Sequence, residues 1–468
     1  MIGMTLAEIA GVVAGQSYGV DPDLTVTGKV EFDSRKVGPG DIFLAFQGEH
    51  VDGHDYATAA RAAGAVAVLA TRVLPGLPVI VVADPIAAIT ALATTNARRL
   101  EARIVQITGS SGKTSTKDLL AQVLPELGPT VAPPESFNNE LGFPYTVLLA
   151  GAQTRYLILE ASARGLGHIA ALTEIAPPDV AAVLNVGSAH LGEFGSREAI
   201  ARAKGELVEA LPAGGVAVLN ADDPLVTAMA ARTAARVVSF GEHPQAAVRA
   251  EDVQLDHSGR ARFVLAAGGE RAQVALQVLG EHQVSNALAV AAIALELGLP
   301  LPAVAAALSR AGARSHWRME VTEVGDVTVI NDAYNANPAS VRAALKTLAI
   351  MSGDRRGAGR RRSIAVLGEM AELGAESVSA HDEIGRLAVR LDVNALIAVG
   401  QAARPIANGA ALEGSWNGEA EWVPDNAAAL DRLVELVRPG DLVLIKGSRA
   451  AGLEAVAAGL LERLPGRA

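Results

Sequence analysis

The sequence contains no cysteine, so disulfide scaffolds, thiolate nucleophiles and zinc–thiolate sites are excluded. Aromatic residues make up only 3% of a chain that is half hydrophobic, so any core must be built from Ala, Val, Leu and Ile. Positive charge is also in deficit. A formal net charge of −11 argues against a general nucleic-acid or membrane-surface binder, and an anionic ligand would need local basic groups. No apolar run is long and clean enough to cross a bilayer. The longest candidate, Ala65 to Leu92, is broken by Arg72, Asp84 and three prolines. The opening MIGMTLAEIAGVVAG has no basic segment, and Glu8 interrupts its apolar positions, unlike a secretory signal. These absences lead to the expectation of a cytoplasmic enzyme with no nucleic-acid partner and no membrane insertion; a monomer is expected, though nothing in the composition fixes it.

At 468 residues the chain is too long for one ordinary core. Glycine is spread throughout, as α/β proteins with many tight strand-to-helix turns require. Ile104-Val105-Gln106-Ile107 leads into Thr108-Gly109-Ser110-Ser111-Gly112-Lys113-Thr114-Ser115, and Leu119, Leu120, Val123 and Leu124 follow. That order predicts strand, tight loop, helix. Backbone amides of such a loop converge on phosphate oxygens at a helix N-terminus. Lys113 is placed to neutralise β/γ-phosphates and the Thr114 hydroxyl to ligate Mg²⁺. The loop is short in its first half: a full G-x-x-x-x-G-K-[ST] pattern needs glycine where this chain has Ile107.

Ahead of the loop, Asp41–Phe46, Tyr56–Ala63, Ala65–Ala70 and Val79–Val82 alternate as strands and helix in a small α/β unit. Its polar clusters Asp33-Ser34-Arg35, Gln47-Gly48 and Asp52-Gly53-His54 read on their own as turn chemistry. Beyond the loop, the strand Tyr156–Leu159 ends on Glu160. A carboxylate at the C-terminal end of a buried strand beside a phosphate loop is where a Mg²⁺-organising acid belongs. A strand from Val180 to Val186 runs on to His190, and a helix from Ser196 to Leu211 carries Lys204, which alone reads as a solvated lysine. Ala246 to Val278 alternates like antiparallel strands, and an Ala/Leu helix ends near Gly298. Composition changes around Gly312 to Trp317. Afterwards strands deliver Asn331-Asp332, Gly368-Glu369-Met370 and Lys446-Gly447-Ser448-Arg449 to their ends, and alternating helices make a doubly wound unit. The Gly/Arg run from Gly353 to Arg362 reads as a solvated loop.

Together these signatures resemble the Mur ligases, ATP-dependent amide-forming enzymes of peptidoglycan precursor synthesis, and the resemblance covers the whole chain. Thr108 to Thr114 is similar to the family's phosphate loop, short first half included. Asn138-Asn139-Glu140-Leu141-Gly142-Phe143-Pro144 resembles its N-N-E-x-G-x-P segment. Asn185-Val186-Gly187-Ser188-Ala189-His190-Leu191 resembles its histidine segment. Asn331-Asp332-Ala333-Tyr334-Asn335-Ala336-Asn337-Pro338 resembles the branch that adds D-alanyl-D-alanine. One segment departs: the family's Glu-Met-Gly-Ala is Glu160-Ala161-Ser162-Ala163 here.

The resemblance implies three α/β domains: a small N-terminal UDP-sugar-binding domain over residues 1–100, a central P-loop ATPase-like domain with a parallel sheet over 101–313, and a C-terminal Rossmann-like domain over 314–468. It implies ATP and Mg²⁺. Gly109, Ser110, Ser111, Gly112, Lys113, Thr114 and Ser115, with Asn286, Arg318 and Asp332, would hold ATP. Thr114 and Glu160 would hold one Mg²⁺; His190, Glu160 and Lys204, the last as an Nζ-carbamate, would hold another. Lys113, Glu160, His190 and Lys204 are thus the expected catalytic set. Ser34, Arg35, Gln47, Asp52, His54, Asn138, Asn139, Tyr334, Asn335, Lys446, Ser448 and Arg449 would meet the substrates, UDP-N-acetylmuramoyl-tripeptide and D-alanyl-D-alanine. Alternatives are a sister ligase adding a single amino acid and a folylpolyglutamate synthase-like ligase, although the latter needs no α/β unit ahead of its loop. A GTPase switch would need N-K-x-D, and only Asn220-Ala221-Asp222-Asp223 is present. A non-catalytic scaffold would have no use for Lys113, Thr114, Glu160, His190 and Lys204 together.

Overall fold

A computed structural model describes residues 1–48, 51–187, 191–353, 359–414 and 416–464. Its axis is the strand Arg103–Thr108, whose Ile104, Val105 and Ile107 are buried. β-Branched residues suit a strand covered on both faces. Tyr156–Glu160 and Val180–Val183 run parallel to it on either side. Among the described residues they belong to a nine-stranded sheet that continues through Val216–Asn220 and Arg236–Gly241. It ends on Val248–Leu255, Arg260–Ala267 and Glu270–Leu279, which pair antiparallel. Register decides where polar groups emerge. Glu160 pairs with Ile107 and Val183 with Thr108, so three strands finish at one level, where the loop from Gly109 begins.

The helices Lys113–Val123 and His282–Glu296 contribute to the apolar cluster on one face of this sheet. Every residue from Asn286 to Ala294 is buried. Their alanines let backbone approach backbone, which is how a chain poor in aromatics fills its interior. The opposite face is covered by Gly142–Leu149, His168–Ile175 and Arg197–Glu209.

A six-stranded sheet follows, with Val327–Asn331, Leu442–Lys446 and Ser363–Leu367 at its centre. Its strands are parallel except Glu320–Val324 at one edge, and separate apolar clusters cover its faces. A five-stranded sheet lies at the N-terminal end, ordered Gln16–Tyr18, Val79–Val81, Ala67–Ala70, Ile42–Leu44, Val30–Glu31.

These units are attached differently. The N-terminal sheet and the central sheet share one continuous core, in which Leu6, Ile42 and Leu92 join Phe143, Leu157 and Leu207. The helix Pro85–Arg99 is the bridge. Its Asn96, fully buried, accepts from the Ile2 amide at 2.8 Å and donates to the Val147 and Ala150 carbonyls at 2.9 Å. The C-terminal unit shares less with the central one: among the described residues Leu279 alone of the central sheet joins its apolar cluster, and polar contacts from the loop-proximal helix add to it. Gln122 exchanges hydrogen bonds with both backbone groups of Gly312, and Asp118 accepts from the Ser315 amide at 2.9 Å.

Three local expectations change. The strand from Val180 stops at Val183, because Asn185 turns toward the phosphate loop. The Gly/Arg run is not wholly solvated: Arg361 donates to the Gly440 and Asp441 carbonyls and to Thr328 Oγ1, and Arg360 pairs with Asp392. Lys204 is buried, 4% exposed, not a surface lysine.

Asn96→Ala would strand the buried Ala150 carbonyl and the Ile2 amide, while the Val147 carbonyl keeps the Ala150 amide. With each such group costing about 1–3 kcal/mol, the variant should lose about 3 kcal/mol, read as a lower urea midpoint at unchanged slope.

Candidate active site

The phosphate loop is held open by its neighbours. Gly112 has φ +82°, and a Cβ there would stand 2.4 Å from Asn286 Oδ1, so only glycine fits. A Cβ on Gly109 would meet Leu184 Cβ at 2.9 Å. The Ser110 amide donates to the Asn185 carbonyl at 3.1 Å, and the Ser111 amide donates to Asn185 Oδ1 at 2.9 Å. Asn185 Nδ2 returns a bond to the Ser111 carbonyl. Asn185 therefore occupies two loop amides, and anion binding falls to the first turn of Lys113–Val123, whose amides have no carbonyl within their own helix.

Lys113 Nζ donates to the Gly109 carbonyl at 2.7 Å. Burial lowers its pKa, Glu160 opposes that, and Arg318 adds to it. An anion beside it would restore the full charge. Thr114 Oγ1 lies 2.5 Å from Ser136 Oγ and 3.2 Å from Glu160 Oε2, which also accepts from Asn138 at 3.3 Å. Glu160 is completely buried, and its other oxygen, Oε1, has no partner. Desolvation raises its pKa against the pull of Arg318, Lys117 and Lys113. A hydroxyl beside a buried carboxylate with a vacant oxygen is a hard-oxygen donor set, and it fits Mg²⁺. Among the described residues no three His, Cys, Asp or Glu gather as a metal cluster. His190 lies outside the described residues. Lys204 is buried, and desolvation, with Lys113 adding to it, pushes its amine well below the usual lysine range.

Between the central and C-terminal sheets lies a cavity of about 1050 Å³, at the upper end of small-ligand pockets. The central unit contributes Ser110 to Ser115, Asn138, Asn139 and Asn286, and the C-terminal unit contributes Arg318, Asp332, Tyr334, Asn335, Lys446, Ser448 and Arg449. Lys446, ending the strand Leu442–Lys446, pairs with Asp332 Oδ2 at 2.6 Å and donates to the Asn335 carbonyl at 2.9 Å. Arg318 donates to Ser136 Oγ at 2.8 Å and lies 4.0 Å over the Tyr334 ring, while its Nε is buried without a partner. Arg449 stacks 4.4 Å over Trp317 and pairs with Glu454. Ser448 Oγ is another buried atom lacking a partner. Asn139 Oδ1 accepts from the Gly142 amide at 2.9 Å. Ser162 and Ala163 of the divergent segment also line the cavity.

The N-terminal residues stand apart from that cavity. Asp52 caps its own turn, accepts from His54 Nδ1 at 2.5 Å, and is held down to about 2 chiefly by that bond. His54 Nε2 accepts from the Thr71 amide at 3.2 Å, which places the ring proton on Nδ1. Both side chains are thus engaged in the fold of their unit. Ser34, Arg35 and Gln47 reach its surface, and Arg35, 86% exposed, pairs with Asp33. The residues that sequence reasoning passed over are Ser136, which links Arg318 to Thr114, and the buried pair Lys117–Asp118. A serine in a loop and a Lys-Asp step in a helix carry no distinctive signal.

A phosphate loop with a buried carboxylate at the next strand end defines an enzyme that handles a nucleoside triphosphate. The chain belongs to the Mur ligase family: residues 107–294 match the Mur ligase middle domain, 317–449 the Mur ligase glutamate ligase domain, and 28–108 the Mur ligase family catalytic domain. It is 52% identical to the UDP-N-acetylmuramoyl-tripeptide–D-alanyl-D-alanine ligase of Mycobacterium tuberculosis, over 98% of each chain. Among solved structures it is similar to MurF from Acinetobacter baumannii, at 31% identity and TM-score 0.85 over 98% of this chain and 99% of that one. It is also similar to MurF ligase from Thermotoga maritima in complex with ADP, at 28% identity and TM-score 0.78 over 94% and 98%.

Asn185→Ala removes both side-chain bonds to Ser111 and leaves the backbone bond to Ser110 in place. ADP affinity measured by calorimetry should fall about tenfold, the loss of one to two hydrogen bonds' worth of loop order, with little change in thermal midpoint.

Proposed function

We propose that the chain joins D-alanyl-D-alanine to UDP-N-acetylmuramoyl-tripeptide with hydrolysis of ATP to ADP and phosphate, yielding UDP-N-acetylmuramoyl-pentapeptide for peptidoglycan. The observation that carries this reading is the meeting of phosphate loop, buried Glu160 and the Asp332–Lys446 pair around one large cavity, in a chain 52% identical to a ligase of that name. It works in the cytoplasm as a monomer, and its residues 1–100, 101–313 and 314–468 serve UDP-sugar binding, ATP binding and closure respectively.

The chemistry accounts for the residues. A carboxylate is a poor electrophile at neutral pH, so the tripeptide carboxylate first takes the γ-phosphoryl group of ATP and releases ADP. The amine of D-alanyl-D-alanine then attacks the acyl carbon, phosphate leaves with the C–O bond pair, and the amine loses its proton. The first step brings two anions together. Lys113 and the first-turn amides of its helix hold the phosphates and offset that repulsion. Asn286, Arg318 and Asp332 hold the rest of the nucleotide, and Tyr334, Asn335, Lys446, Ser448 and Arg449 close the cavity and exclude water from the acyl phosphate. Asn138 and Asn139 border the reacting carboxylate, and Ser34, Arg35 and Gln47 hold the UDP-sugar. Thr114 and Glu160 hold Mg²⁺, which supplies charge neutralisation when bound. Lys204, joined by His190 and Glu160, would hold a second ion. A buried amine disfavoured as a cation is nucleophilic, and addition of CO₂ to Nζ with loss of a proton turns it into an anionic oxygen ligand.

Phosphate release should require both UDP-N-acetylmuramoyl-tripeptide and D-alanyl-D-alanine. Turnover with one amino acid in place of the dipeptide points to a sister ligase, and turnover with folate substrates points to the other alternative. Running diaminopimelate, lysine and ornithine tripeptides side by side identifies the accepted third residue.

Lys204→Ala should abolish turnover, with partial recovery in the presence of a short carboxylic acid. Absence of rescue, together with an unmodified Lys204 pointing into solvent in a metal- and nucleotide-bound crystal structure, refutes the carbamate.

A further inference from the structure

One contact between the central and C-terminal units is made by backbone alone. Gly192, in the short helix Leu191–Phe194, donates its amide to the Glu372 carbonyl at 3.0 Å. A Cβ on Gly192 would stand 2.9 Å from the Gly374 nitrogen, 3.1 Å from the Glu372 oxygen and 3.2 Å from Gly374 Cα. A Cβ on Gly374 would stand 3.0 Å from Gly192 Cα. In both directions the closest atom is backbone of the opposite unit. Gly192 does not have the positive φ that demands glycine, so what glycine supplies there is room.

The segment that lands on Gly192 is braced against the cavity wall. The Gly368 amide donates to the Lys446 carbonyl at 2.8 Å, and the Ser448 amide donates to the Glu369 carbonyl at 2.8 Å. The Met370 amide donates to Nε2 of buried His381 at 2.8 Å. Ala371 and Glu372 themselves line the cavity. The landing segment and the strand end bearing Lys446 and Ser448 therefore move as one piece.

We infer that the Gly192–Gly374 contact is the stop that fixes how closely the C-terminal unit seats on the central one, and so the height of Lys446 and Ser448 above the phosphate loop. Gly192 and Gly374 are positioning residues: they touch no substrate, and they act through the segment from Gly368 to Gly374. A methyl group at Gly192 wedges the units apart by a few tenths of an ångström or more at this point. Misplacement of reacting groups by about 1 Å costs on the order of a hundredfold in rate.

The test is Gly192→Ala in the full chain. Alanine favours the helix, so the thermal midpoint should not fall. The expected result is a loss in kcat of about tenfold or more, an ATP KM within about twofold of the parent, and faster amide hydrogen exchange across the segment from Gly368 to Gly374 in saturating Mg²⁺ and ADP. Gly11→Ala, whose Cβ meets nothing within 4 Å, should match the parent in every measurement. The inference rests on the ligase reading only for the rate. The exchange measurement needs nucleotide alone, so it decides the matter even if the ligase substrates prove wrong. Parental exchange of that segment in Gly192→Ala overturns the inference, whatever happens to kcat, and so does a rate loss accompanied by a lower melting point.

Discussion

Lys113, half-buried, and Lys204, buried on its helix, face the same set of strand ends, with Glu160 as the acid between opposing demands. Removing charges from water costs several kcal/mol per ion unless partners compensate. Here compensation is incomplete: burial drives both lysines toward neutrality and the glutamate toward protonation, and one oxygen of Glu160 has no partner. Among the protein's own groups this tension is not resolved. A polyanion with its cations is what relieves it, so ligand binding and stability of this region are thermodynamically linked. Everything else in the central unit serves to hold these groups at one level: the parallel register, the Asn185 clamp, and the alanine-rich helix behind the loop.

Much of this was legible in the residues. The phosphate loop, the strand ending on Glu160 and the serine-capped helix from Ser196 each rest on local rules of periodicity and capping, and each stands in the structure. What could not be read locally was burial. Lys204 looked like a solvated lysine because a helix face becomes interior only when the sheet beneath it is known. Its flanking Ala203 and Gly205 were the available hint. A Cβ on Gly205 would collide with the Arg232 guanidinium, which passes there to reach the Ala201 and Arg202 carbonyls. Likewise Arg361 reads as part of a charge run, yet it caps carbonyls across the C-terminal sheet. Long-range partners 79 and 80 residues away leave no trace in composition.

The N-terminal clusters show the converse. Asp52 and His54 match a substrate-binding pattern and at the same time bond within their own turn. Turn formation and ligand binding use the same residue types, so the pattern alone does not separate them.

The continuous core beneath the first two sheets has a consequence for how the enzyme divides in motion. With Leu92 and Phe143 in one apolar cluster and Asn96 bonded across the junction, the N-terminal and central sheets form one anvil. The C-terminal unit, joined to it through contacts at Gln122, Asp118 and Gly192, is the hammer. Whatever bridges the first two sheets is therefore held at a spacing set by static packing.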